Sequence, residues 1–245
     1  MLMRKIKQVW QMNNGGYKMK LCETEKCTGC GACFNSCPKQ CISMRESDNG
    51  YKYPVINQEI CIDCGLCSKN CPILTSYKKN YPITLFSAIY KSDDAALLNS
   101  SSGGIAYALS EYLLNSGGIV FGAAYDDNMN VKHIEIQDKK DLYKLQGSKY
   151  VQSDTGNTFS KVKGCLSDGK KVIFFGLPCQ ISGLYSYLGS FNTENLYTCD
   201  LLCGGAPSPG VFKKYINYLE QKYKSKAENL NFRSKNIITV ICCIN

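Results

Sequence analysis

The stretch CTGCGACFNSCP at 27–38 returns in outline 34 residues later as CIDCGLCSKNCP at 61–72. Four thiols spaced C-x2-C-x2-C-x3-C, closed by proline and then repeated, restrict the fold more than any other feature. A disulfide framework would suit 16 Cys in 245 residues. Such scaffolds are short and loop-rich, however, and this sequence runs well beyond the repeat with a hydrophobic content of 44%, ordinary for an enzyme. Zinc takes two Cys from one knuckle and two ligands from another, so three closely spaced thiols and a fourth three residues on exceed its needs. An iron-sulfur cluster uses all four.

In the two-cluster ferredoxin pattern the first three Cys of a run hold one 4Fe-4S cluster, and the fourth crosses to the other. That assigns Cys27, Cys30, Cys33 and Cys71 to cluster 1, and Cys61, Cys64, Cys67 and Cys37 to cluster 2. Gly31 and Gly65 each follow a second ligand, where the backbone wraps closely around the cluster and glycine permits the conformation. Pro38 and Pro72 fix the backbone after each crossing ligand. Cys22 and Cys41 flank the first run and are expected to be small buried residues; Cys165 is expected to pack within a helix.

A length of 245 residues suits a small domain joined to a medium one. The expected division is a flexible N-terminal extension at 1–20, a ferredoxin-type domain at 21–76, a linker at 77–85, and an α/β domain at 86–245. No run of 18 apolar residues suggests a membrane span, and the basic opening lacks the apolar region and cleavage site of a secretory signal, so a cytoplasmic protein is expected. The net charge of +9 comes from scattered lysines, as on a solvated surface. Two clusters carrying about −2 each would offset about four of those charges. No helix-turn-helix or aromatic RNA-binding motif accompanies the charge, so no nucleic-acid partner is expected.

Beyond the repeat, apolar runs alternate between strand and helix character. A strand-like run at ITLFSAIY precedes a Ser/Gly turn and a helix to about residue 115. Strands follow at GIVFGAAY and VKHIEIQ, then a helix near DKKDLYKL and one at 156–167. KVIFF and NLYTCDLL read as strands, with helices after Pro178 and at 210–224. The expected fold is therefore an α+β ferredoxin domain followed by an α/β domain with a largely parallel sheet. His133, the only histidine, reads as a surface strand residue.

Three turns invite chemistry. SSSGG at 100–104 opens a helix bearing Ile105, Leu109 and Leu113 on one face, and its groups serve either as a cap or as a phosphate cradle. In GSKY at 147–150, Lys149 suits an anion and Tyr150 a ring, although an exposed lysine and a core tyrosine explain the segment equally. GLPCQ at 176–180 follows KVIFF, where ligands gather at the carboxyl ends of parallel strands.

Taken together, SSSGGIAYALSEYLL, GSKYVQS, GLPCQISGL, DLLCGGAPSPGVFKKYI and NFRSK resemble, in order, the beta-subunit family of coenzyme F-420 (deazaflavin) hydrogenases and dehydrogenases. Leu177 stands where threonine is common in that family, and Gly204 where histidine is common. The resemblance implies FAD held by Ser102, Gly103, Gly104, Ser148, Lys149 and Tyr150, with deazaflavin coenzyme F-420 as an inherited candidate substrate. It implies a redox protein partner or a small-molecule hydride donor or acceptor. The resulting activity is that of an iron-sulfur flavoprotein oxidoreductase; the competing expectation is an electron-transfer protein whose second domain docks a partner without flavin. The resemblance also implies that Cys179 and Cys203 join a downstream C-x2-C pair around a third 4Fe-4S cluster. NIITVICCIN at 236–245 contains adjacent Cys242 and Cys243 instead, so the third cluster is expected to be incomplete and the sequence truncated at its carboxyl end.

Overall fold

The computed structural model describes residues 10–13, 16–19, 21–75, 84, 86–228 and 230–233. Short paired strands β1 (Trp10–Asn13) and β2 (Gly16–Met19) lie within the stretch expected as an extension. Most of the expected 77–85 linker, and Cys242 and Cys243, fall outside the described residues.

The doubled cysteine run folds as a doubled unit. Helix α1 (Ala32–Ser36) and helix α2 (Leu66–Lys69) are each opened by a left-handed glycine, Gly31 at φ 81° and Gly65 at φ 77°. A side chain at either position would be strained, which is the local reason both runs place glycine after the second thiol. An antiparallel hairpin, β3 (Ile42–Glu46) with β4 (Lys52–Ile56), connects the two helical turns.

The second half is a four-stranded sheet in the order β6-β5-β7-β8, built from β5 (Ile119–Tyr125), β6 (Val131–Ile136), β7 (Val172–Gly176) and β8 (Leu196–Asp200). β5, β7 and β8 run parallel, and β6 adds an antiparallel edge. Both faces of β7 are buried, as its unbroken apolar run requires. Val172 and Phe174 enter one core with Phe159 of α5 (Thr158–Ser167) and Leu184 of α6 (Pro178–Leu188). Ile173 enters the opposite core with Leu113 of α4 (Ile105–Asn115). Helix α7 (Pro209–Tyr223) closes a third cluster through Phe212 and Ile216. No helix among the described residues is long and apolar enough to cross a membrane.

Three expectations need correction. His133 is buried, because its ring stacks on Phe174 at 5.0 Å and its Nε2 donates to the Phe175 carbonyl at 2.9 Å. Desolvation lowers its pKa to about 4, so it is neutral at physiological pH. The segment Lys139–Leu145 is a 3-10 helix, and residues 86–90 of the expected first strand lie outside any strand. Tyr90 N–H instead donates to the Gly103 carbonyl, pinning that segment to the Ser/Gly turn.

Candidate metal centres

Two cavities of similar size lie in the first half, about 360 and 320 Å3 with their open mouths included. The first is lined by Cys27, Cys30, Cys33 and Cys71, and the second by Cys37, Cys61, Cys64 and Cys67. Backbone topology thus brings each crossing cysteine to the opposite run's thiols. Cys33 stands on α1 and Cys67 on α2, whereas Cys37 is the extended residue that ends α1 and Cys71 lies two residues past the end of α2, so each crossing thiol sits where the backbone leaves its helical turn. Apolar groups complete the walls, including Leu21, Met44 and Pro54 in the first and Ile42, Ile56 and Ile62 in the second.

Among the described residues, no three His, Cys, Asp or Glu side chains converge closely enough to hold one metal ion. Thiolates around a single zinc would lie roughly 3.8 Å apart, given Zn–S bonds of about 2.3 Å. A cube of iron and sulfide needs them farther apart, so two apolar, four-thiol cavities of near-equal volume fit two 4Fe-4S clusters better than two zinc ions. Burial pushes the Cys30 thiol up to about 11, so iron binding there must displace a proton. Cys41 is buried as expected, whereas Cys22 is only partly buried, because they line the second and first cavities respectively. Cys165 is half-buried against the α5 and α6 core, as its sequence context suggests.

The first cavity rests directly on the second half. Thr155 Oγ1 donates to the Cys30 carbonyl at 3.2 Å, Gln152 Nε2 to the Thr28 carbonyl at 2.7 Å, and Asn35 Nδ2 to the Gly156 carbonyl at 2.8 Å. Lys52 pairs with Asp154 at 2.7 Å. Gly183 leaves space for Cys30, since a Cβ there would come within 3.0 Å of its Sγ. The loop carrying Gln152 and Thr155 is tied in turn to GLPCQ: buried Gln180 donates to the Ser153 carbonyl and hydroxyl, and accepts from Leu177 N–H. At the second cavity Cys64 and Ile62 are exposed, as is Ile60 just before it in sequence.

Cys179 lies in the first turn of α6, where burial raises its pKa and Cys203 is an electrostatic neighbour. Cys199, half-buried on β8, feels Asp200 rather than that pair.

The residues implied for FAD divide into two behaviours. At the Ser/Gly turn, Gly104 is left-handed at φ 76° and opens an 11-residue helix whose first-turn N–H groups stand beside exposed Ser102, while Ser101 Oγ is buried without a hydrogen-bond partner. Gly103 is required because a Cβ would meet the Ala88 carbonyl at 2.5 Å. This helix start fits a phosphate. Lys149 does not present its amine there: it donates to the carbonyls of Leu145, Gln146 and Gly147 and lies 5.6 Å from the Tyr125 ring centre. Burial lowers its pKa to about 8. Ser148 lies between, and Tyr150 is half-exposed with its ring edge-on to Phe232. Gln146 Nε2 reaches the Ala96 carbonyl at 2.9 Å and Ser100 Oγ at 3.4 Å, joining the two segments.

Residues 26–74 match the family model for a 4Fe-4S dicluster domain. Residues 169–241 match the model for the carboxyl-terminal part of the coenzyme F420 hydrogenase/dehydrogenase beta subunit. Among solved structures, one polypeptide of the F420-reducing NiFe hydrogenase complex from Methanosarcina barkeri aligns at 25% identity with a TM-score of 0.42, covering 55% of this protein. The alignment spans 48% of that polypeptide, about half of its length. No curated protein matches significantly. The two matched segments make this protein an iron-sulfur electron-transfer protein related to the coenzyme F420 hydrogenase/dehydrogenase beta subunit.

Proposed function

We propose that the protein is a cytoplasmic iron-sulfur flavoprotein oxidoreductase. On this reading it passes electrons between a hydride carrier bound to its second half and a one-electron redox protein that docks on its first. The observation that carries the reading is the difference in what surrounds the two cavities: Thr155, Gln152 and Gly183 of the second half pack against residues of the first, whereas Cys64 of the second is exposed. Cys27, Cys30, Cys33 and Cys71 hold the inner cluster, and Cys37, Cys61, Cys64 and Cys67 the outer one. Ile60 and Ile62 supply apolar contact for a partner beside the outer cavity. A flavin supplies the exchange between two-electron hydride chemistry and the single electrons that a 4Fe-4S cluster carries. In this protein, the N–H groups at the start of α4 and Ser102 orient the flavin phosphate, and Lys149 stiffens the adjoining loop through three carbonyls. Coenzyme F-420 is a candidate hydride carrier, in keeping with the matched families.

Flavin titration of the anaerobic full-length protein tests this. Ser102→Glu sets a negative charge at the helix start and is expected to weaken FAD binding at least about tenfold, leaving cluster absorbance unchanged. Failure of the unaltered protein to bind FAD would instead favour a second half that docks a partner without flavin.

A further inference from the structure

Each four-thiol cavity carries a fifth thiol that the ligand spacing does not explain. Cys22 lines the first cavity, with Cys27 and Cys71 as its electrostatic neighbours there. Cys41 lines the second together with Cys61: its Sγ is 3.3 Å from Cys37 Sγ, and its N–H donates to that sulfur at 3.3 Å. The two arrangements are equivalent. Cys27 and Cys61 open their runs, and Cys71 and Cys37 are the crossing thiols, so each fifth thiol neighbours the opening and the crossing ligand of its own cavity.

The repeated sequence does not generate this equivalence. Cys22 precedes Cys27 by five residues, where the second run has Ile56; Cys41 follows Cys37 by four, where the second run has Thr75. Two unrelated sequence positions therefore deliver sulfur to the same edge of two cavities. Filling space does not require sulfur there, because Ile56 lines the second cavity from the position equivalent to Cys22.

We propose that Cys22 and Cys41 are reserve iron ligands, one per cavity, each able to replace the opening or crossing thiolate. In the exchange, one iron-sulfur bond breaks and one forms. The incoming thiol gives its proton to the departing thiolate, and no electron moves. Sulfur-to-sulfur contact at 3.3 Å means that side-chain rotation suffices to exchange Cys41 for Cys37.

The inference rests on the two-cluster reading, and its test separates the two. Iron and sulfide are counted on the anaerobically reconstituted full-length protein. Cys71→Ala and Cys37→Ala are each expected to retain about eight irons, with altered EPR spectra. The doubles Cys71→Ala/Cys22→Ala and Cys37→Ala/Cys41→Ala are expected to retain about four, as are Cys33→Ala and Cys64→Ala, which remove ligands on other edges. Alkylation followed by peptide mass spectrometry is expected to label Cys22 in the unaltered protein and to find it protected in Cys71→Ala. Single variants that lose as much iron as the doubles, or Cys22 still labelled in Cys71→Ala, would overturn the proposal. An unaltered protein well short of eight irons would instead defeat the two-cluster reading.

Discussion

Replacing Gly31 by alanine probes how the first cavity is held against the second half. Gly31 sits at φ 81°, and a Cβ there would lie 2.4 Å from Thr155 Oγ1. Left-handed backbone costs alanine roughly 1–2 kcal/mol. The overlap also drives Thr155 away from the Cys30 carbonyl, a net loss of about 0.5–1.5 kcal/mol, and crowding adds roughly 1–3 kcal/mol. The total is roughly 2.5–6.5 kcal/mol, of which the contact between halves contributes more than half. At roughly 2–4 °C per kcal/mol for a protein of this size, the apparent melting midpoint should fall by at least about 5 °C. Thr155→Ala removes the obstructing hydroxyl, so Gly31→Ala introduced into that background should cost less than half as much. The assay is anaerobic melting at one fixed scan rate, followed by visible cluster absorbance and by circular dichroism, since loss of a cofactor makes the midpoint an operational quantity. Equal drops in both backgrounds would refute the contact between Gly31 and Thr155, and with it the seating of the first cavity on the second half.

Two further outcomes follow from buried polar groups. The folded His133 pKa of about 4 lies below the ordinary value of about 6.5. The unfolded protein therefore binds a proton between these values while the folded protein does not, and stability contributed here is lost as pH falls through that window. His133→Leu should flatten this part of the stability-pH curve in parallel measurements, and an unchanged slope would place the imidazole in solvent. Gln180→Leu strands Leu177 N–H and the Ser153 groups, at roughly 1–3 kcal/mol for each unsatisfied partner. Its melting midpoint should fall by at least about 4–8 °C, and a drop under about 2 °C would show that the GLPCQ turn does not depend on this side chain.

The sequence was most legible where chemistry dictates spacing. The C-x2-C-x2-C-x3-C runs require particular thiols to converge, and the structure brings those thiols into two cavities. Both-face burial marked β7 through the unbroken apolar run of KVIFF, and the largely parallel sheet followed from alternation. What escaped was set by tertiary contact. Alternation along VKHIEIQ suggested an exposed His133, but β6 lies on a sheet whose ring-bearing neighbour Phe174 covers it. Lys149 read as an anion contact because its sequence cannot reveal that the last residue of the preceding 3-10 helix and the two residues after it turn three carbonyls toward its amine. Cys22 and Cys41 lie outside the ligand spacing, so only folding discloses that they border the cavities; their proximity to the motif was the available signal. Asn35, Gln152 and Gln180 lie inside motifs read for other residues, and Thr155 lies in none, so nothing in the sequence marked these four as the groups that join the halves or position the loops between them.

Mössbauer spectroscopy combined with iron and acid-labile sulfide analysis of the anaerobically reconstituted full-length protein bears most directly on the two-cluster assignment. Two 4Fe-4S clusters held by Cys27, Cys30, Cys33, Cys71 and by Cys61, Cys64, Cys67, Cys37 require about eight irons and eight sulfides per molecule, all with 4Fe-4S parameters. Zinc in place of iron, or about four irons per molecule, would contradict it.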